Sequence, residues 1–284
     1  MFRQRTYNPS RDQGPFPGAH FFWQVLILLA DPPSSGPIRR INAPRRIAVA
    51  PESTRCSTCM LNAICLPLGM TRQDVAKMDE LIKERFRLPK GGTLYRQGDV
   101  ADAIYGLRSG SIKTQIEDAN GQVQITGFLL PGEVLGLDGL MTDQQVSHAI
   151  ALEDSEVCII RLDEMDQLAP QLPSLQRQLR RLMSKEIGRS HQLLLALGSL
   201  RSEQRLAAFL LNLSQRLQVL GYSPYEFILR MSREEIGNFL GLTLETVSRL
   251  FSRFAREGLI RVQQREVHIL DMAGLQALSG TDCS

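Results

Sequence analysis

Histidine is scarce in this 284-residue sequence. His20, His148, His191 and His268 stand far apart, and no carboxylate pair, phosphate loop or nucleophile elbow accompanies them. Catalysis needs convergent groups of that kind, so the chain is read as a non-enzyme. Net charge is nearly absent too, at +3, and any hold on nucleic acid must come from a local basic face. Long apolar runs are missing. Phe21–Ala30 is the longest, about half of what spans a bilayer, so no membrane partner is expected. Arg3, Arg5 and Arg11 precede that run as they would in a signal peptide, but the following Asp31-Pro-Pro-Ser-Ser-Gly-Pro37 is not a small-residue cleavage site. Cysteines number five, three of them clustered, which is not the pattern of a secreted disulfide framework. A cytoplasmic protein is the expectation. With 43% hydrophobic and 22% charged residues, the remainder is ordinary soluble material, long enough for two domains.

What the chain does have is Cys56-Ser-Thr-Cys59-Met-Leu-Asn-Ala-Ile-Cys65, a C-x2-C-x5-C stretch. Three thiols within ten residues are too close for one short segment to satisfy by disulfides. They suit a loop that wraps a metal or an iron–sulfur core. A fourth ligand is then required, and Cys158 is the only thiol left before Cys283 in the tail.

Around that loop the chain divides. Residues 1–50, rich in Pro and Arg, read as a loosely structured extension. Residues 51–173 read as the cysteine segment plus a β domain. Thr71 is a helix cap, and Val75, Met78, Leu81, Ile82 and Phe86 predict an amphipathic helix over 72–86. From Leu88 to about Leu162, short runs such as Ile112–Ile116 and Val123–Phe128 alternate in twos between glycine turns, including Asn120-Gly121. Many short strands so punctuated predict a rolled or closed antiparallel structure. A helix follows over about 174–197, within a segment 174–200. Met183, Ile187, Ser190, Leu194 and Leu197 recur at spacings of 4, 3, 4 and 3, the seam of a two-stranded coiled coil, and predict a homodimer.

Residues 201–284 carry the second informative pattern. Ser232-Arg-Glu-Glu235 is a capping box, Gly241 ends the short helix it opens, and Thr243 caps the next. With Gly237 where the helices touch and an alternating Ile260–Leu270 behind them, this is a winged helix-turn-helix. Its second helix presents Glu245, Ser248 and Arg249 on one outward face, chemically suited to base edges in the major groove of double-stranded DNA. Thr243, Thr246, Arg253, Arg256 and Arg261 are placed for the phosphate backbone.

These residues resemble the CRP/FNR family of bacterial transcription regulators, and its oxygen-sensing fumarate–nitrate reduction branch in particular. The resemblance covers about residues 53–275. It rests on the four cysteines with their long last interval, on Gln124-Ile-Thr-Gly-Phe128 before Pro131-Gly-Glu133, and on Arg181-Leu-Met-Ser184, Arg205-Leu-Ala-Ala-Phe209 and Gly241-Leu-Thr-Leu-Glu-Thr-Val-Ser-Arg249. It implies an α+β fold: an antiparallel β-roll sensor of the jelly-roll, cyclic-nucleotide-binding-like kind, a long dimerisation helix and a winged helix-turn-helix. It implies that Cys56, Cys59, Cys65 and Cys158 ligate a [4Fe–4S] cluster at low oxygen. It implies that the cluster promotes a dimer that binds a TTGAT-N4-ATCAA-like palindrome and activates or represses anaerobic genes. It implies too that oxygen converts the cluster toward [2Fe–2S] and apo protein. Glu245, Ser248 and Arg249 match the family's base-reading positions, and Ile125, Thr126, Gly127, Gly132 and Glu133 match a loop that contacts RNA polymerase. Ser190 departs from the acid common in this seam. Two alternatives share the fold. One carries a structural zinc on the same four thiols. The other answers to a different small molecule, although no arginine lies between Arg108 and Arg161 to hold a cyclic phosphate.

Overall fold

The cysteine stretch is a succession of tight turns, with Cys59 N–H donating to Cys56 O (3.1 Å), Asn62 N–H to Cys59 O (3.2 Å) and Cys65 N–H to Leu61 O (2.8 Å). This is seen in a computed structural model that describes residues 55–280. The expected extension over residues 1–50 and the tail thiol Cys283 lie outside the described residues. Thr71 caps α1 (Arg72–Met78) as expected, accepting from Asp74 N–H. The helix expected over 72–86 stops at Met78, however. Leu81 and Ile82 are buried in a turn, and Phe86 belongs to strand β1 (Arg85–Leu88). Pairing of β1 with β8 outweighs the 3–4 apolar spacing, because a strand bonded along its length buries Phe86 and Leu88 better than a helix end could.

The alternating region forms β2 (Thr93–Tyr95), β3 (Ala103–Ser109), β4 (Ile112–Glu117), β5 (Val123–Leu129), β6 (Val134–Leu135), β7 (His148–Ala151) and β8 (Ser155–Arg161). They make two antiparallel four-stranded sheets, in the orders β1-β8-β3-β6 and β2-β7-β4-β5. Leu88, Leu107, Ile112, Leu135, Ala149 and Val157 form the core they share. This is the rolled structure the glycine-punctuated strands predict. At the β4–β5 hairpin, the Asp118 carboxylate accepts from Asn120 and Gln122 N–H, and Gly121 takes φ 79°.

Strand β8 leads through α2 (Leu162–Leu168) to α3 (Pro173–Ser199), with Pro173 in the first turn, where its missing N–H costs nothing. Then come α4 (Ser202–Val219), β9 (Glu226–Ile228), α5 (Arg233–Leu240), α6 (Leu244–Arg256), β10 (Ile260–Gln263), β11 (Glu266–Ile269) and α7 (Met272–Ser279). Ser232 and Glu235 form the reciprocal capping box, and Gly241 sits at φ 63°. A Cβ on Gly237 would stand 2.6 Å from Leu242 O, so only glycine permits this helix contact. The Arg233 guanidinium lies 3.3 Å from the Phe251 ring centroid and clamps α5 to α6. The wing has a third strand, β9, beside β11.

Helix α5 packs on β5. Asn238 Oδ1 accepts from Ile125 N–H (2.6 Å), Asn238 Nδ2 donates to Val123 O (2.7 Å), and Lys113 meets Glu235 at 2.9 Å. Phe128, Phe209 and Phe239 stack around one another beneath this contact. The described residues, 55–280, fall within one compact unit. No helix among the described residues is long and apolar enough to cross a membrane.

Candidate functional site

Cys56, Cys59, Cys65 and Cys158 line one cavity of about 30 Å³, together with Arg55, Arg85, Gly106 and Arg108. The three loop thiols arrive through the turns described above, and Cys158 arrives from the centre of β8, opposite Gly106 on β3 and Arg85 on β1. Two contacts tie the loop down. Ser57 donates through N–H and Oγ to the Asp79 carboxylate at the end of α1, and Ile64 lies against Gly132. Gly106 keeps the floor bare: a Cβ there would stand 3.6 Å from Cys65 Sγ and 4.0 Å from Cys158 Cβ.

Burial dominates the electrostatics at Cys56, Cys65 and Cys158. Burial, and then the neighbouring Cys65 and Cys158, push the Cys56 thiol far above its ordinary range. Burial pushes Cys65 up to about 12, against an opposing hydrogen bond from Leu66 N–H. Burial also raises Cys158, with Arg85 opposing. Such thiols keep their protons at neutral pH until a cationic centre takes the proton's place. The donor set and the bare floor therefore fit a thiolate-bound group. Among the described residues, no three or more His, Cys, Asp or Glu side chains already stand at ion-holding separation.

Beside the cavity, Glu156 faces three guanidinium groups, Arg85 at 3.2 Å, Arg108 at 3.4 Å and Arg87 at 3.6 Å. Arg108 also donates to Cys59 Sγ at 3.8 Å. These arginines lie on β1 and β3, and nothing in their sequence spacing to the cysteines marks them. Only the β1·β8·β3 register does.

Helix α6 carries the second site. Val247, Leu250, Phe251 and Phe254 are buried, leaving Glu245, Ser248 and Arg249 exposed together. Thr243 caps the helix at Thr246 N–H (3.2 Å), and the Thr246 hydroxyl accepts from Arg249 (3.3 Å). Glu245 is held below the usual carboxylate range by its own backbone N–H, then by Thr243 and Arg249, so it is an acceptor at neutral pH. Arg256 and Arg261 are exposed on the same domain. Arg253 is not free. It is engaged by both Glu203 and Glu257, and a phosphate would have to displace them.

On α3, Met183 (43% exposed), Ile187 (56%) and Leu194 (67%) leave an apolar stripe bare, with Ser190 exposed among them. Leu197 is partly buried, its Cδ2 3.2 Å from where a Cβ on Gly241 would stand, so it packs on the helix-turn-helix turn. The loop expected to face a polymerase is also packed inward. Ile125 is buried under α5, Gly132 under Ile64, and Gly127 is half-buried. Glu133 is enclosed by Arg189 of α3 and Arg216 of α4, and of the five residues only Thr126 faces outward. A wider cavity of about 890 Å³ lies between the β-roll and α3–α4, and its one arginine from α3, Arg189, is taken by Glu133.

Comparison with known proteins agrees with this architecture. Residues 85–171 match the cyclic nucleotide-binding domain family and residues 204–278 match the Crp-like helix-turn-helix domain family. The transcriptional regulatory protein btr of Bordetella pertussis is 63% identical over 238 residues, covering 84% of this chain and 98% of that protein. The transcriptional activator protein anr of Pseudomonas aeruginosa is 47% identical over 236 residues, covering 83% of this chain and 96% of that one. The solved structure of FixK2 from Bradyrhizobium japonicum aligns with a TM-score of 0.65 at 28% identity, covering 70% of this chain and 98% of FixK2. The chain accordingly belongs to the CRP/FNR family, as a DNA-binding transcriptional regulator of the FNR/Anr type.

Proposed function

We propose that this regulator is a cytoplasmic oxygen sensor in which Cys56, Cys59, Cys65 and Cys158 hold a [4Fe–4S] cluster and DNA binding depends on it. The supporting observation is the convergence of all four thiols on one cavity whose floor is a bare glycine. When bound, the cluster supplies an oxygen-labile link between the loop and β8. The rest is done by the chain. Ile64 sits on Gly132, next to Glu133, and Glu133 holds Arg189 and Arg216, so a shift of the loop bears directly on α3 and α4. That is a contiguous packed route from sensor to dimer helix and DNA-binding domain. In this reading residues 51–173 sense, residues 174–200 dimerise and residues 201–284 bind DNA, with RNA polymerase as the further partner.

The test is anaerobic purification with iron and sulfide assays, followed by absorption spectra as air is admitted. About four irons and four sulfides per subunit, with a brown chromophore bleaching in air, are expected. Colourless protein carrying zinc would leave a DNA-binding regulator without this sensor.

Two further outcomes are expected. Ile187→Glu puts a charge in the exposed stripe of α3. It should change monomer stability by less than about 0.5 kcal/mol, as surface substitutions do, while abolishing the dimer in anaerobic sedimentation. An intact dimer would place the interface elsewhere. Arg249→Ala should cost about 1–3 kcal/mol at the specific DNA site and leave non-specific, salt-dependent binding unchanged. A uniform loss across sequences in a band-shift series would make Arg249 a phosphate contact.

A further inference from the structure

Arg85 is among the most deeply buried charged side chains in the described residues, with 3% of its side chain exposed. One of its nitrogens, Nη1, meets Glu156 at 3.2 Å, while Nε and Nη2 are buried with no hydrogen-bond partner among the described residues. A buried guanidinium with two idle donors is costly, and an arginine kept only for the Glu156 pair would gain little from that depth. Its position explains the depth. Arg85 stands directly opposite Cys158 in the β1·β8 register and lines the same cavity as the four thiols. Directly opposed residues on antiparallel strands carry their side chains on the same face. Glu156 cannot neutralise the three arginines that share it, so the wall beside Cys158 is electropositive.

We propose that Arg85 is a positioning residue for the cysteine-bound group, its idle Nε and Nη2 N–H groups donating to sulfur and its charge offsetting the anionic thiolates. This rests on the reading that the four cysteines hold an iron–sulfur cluster. Hydrogen bonds to sulfur and local charge are the levers by which a protein sets the stability and potential of such a group. Arg108, already donating to Cys59 Sγ, shows that this wall can present N–H to sulfur. Arg85 therefore governs how long the cluster survives, without touching DNA or the dimer stripe.

The experiment compares wild type, Arg85→Met and Arg85→Lys in two measurements. One is the anaerobic decay of the visible chromophore under a chelator. The other is thermal unfolding of the metal-free protein. Arg85→Met should shorten the chromophore half-life by about 10–100-fold, the usual effect of losing an outer-shell partner. The metal-free protein should melt at the same temperature or higher, because the idle donors are gone. Arg85→Lys should recover part of the half-life. A half-life within about twofold of wild type in Arg85→Met overturns the proposal. So does an equal loss in both variants with lowered metal-free melting, which would make Arg85 a structural ion pair. Wild-type protein that takes up no iron or sulfide would remove the cluster reading itself, and this role with it.

Discussion

Cys158→Ser should leave the chain folded and empty. Iron per subunit is expected to fall from about four to below about one, and anaerobic affinity for the palindromic site to drop at least tenfold. Non-specific binding, which depends on the exposed arginines of the DNA-binding domain, should persist. Serine nearly matches cysteine in volume, and position 158 is only partly buried between β1 and β3, so the sheet itself should tolerate the change. What it cannot replace is the one thiol that comes from the body of the β-roll. The other three belong to a single loop secured by Ser57 and Ile64. Anaerobic iron analysis with a footprint of the same sample decides the matter. Normal footprinting by an iron-free Cys158→Ser protein would separate DNA binding from the cysteines altogether.

The largest effect on stability should come from Glu133. Its carboxylate is 12% exposed, accepts from Leu130 N–H at 3.0 Å and is gripped by Arg189 and Arg216. Glu133→Ala should cost about 3 kcal/mol, the lower end for breaking a buried pair, because both arginines keep some solvent. The effect should depend on pH. Burial pushes the Glu133 carboxyl up, but Arg216 and Arg189 outweigh it and hold it below the usual carboxylate range. A depressed value means the contribution is complete above the unfolded value of about 4.3 and disappears as pH falls through the folded one. The gap in urea unfolding between wild type and Glu133→Ala should therefore be full at neutral pH and shrink below about pH 4. A gap independent of pH would mean that shape, not charge, makes this junction.

Much of this protein is legible in its sequence because its signals are local. Ser232 and Glu235 are three residues apart, Gly237 and Gly241 face the same turn, and Cys56, Cys59 and Cys65 share one loop. Each pattern reports on atoms that touch through the nearby chain. The apolar spacing of residues 72–86 predicts too long an α1 for a related reason: it does not register that β8, some 70 residues away, offers Arg85–Leu88 a better partner. Arg85 beside Cys158, Glu133 between Arg189 and Arg216, and Leu197 on Gly241 are products of register and packing across long separations. No spacing rule in one sequence contains them. Arg253 is legible only in part. Its chemistry suits phosphate, but Glu203, fifty residues upstream, meets it in the fold.

The side chain of Asn238 has a consequence for how the protein behaves in a crowded solution. Strand β5 is the outer strand of its sheet, and such strands offer unpaired peptide groups to any other chain that passes. The Asn238 carboxamide, accepting from Ile125 and donating to Val123, imitates one peptide unit of a neighbouring strand, and Gln124 completes the match by donating to Asn238 O at 2.7 Å. The DNA-binding domain thus doubles as the cover for the sensor's sticky border. Any rearrangement that lifts α5 from β5 uncovers it, so truncating the chain before residue 201 should yield a fragment that self-associates through strand pairing.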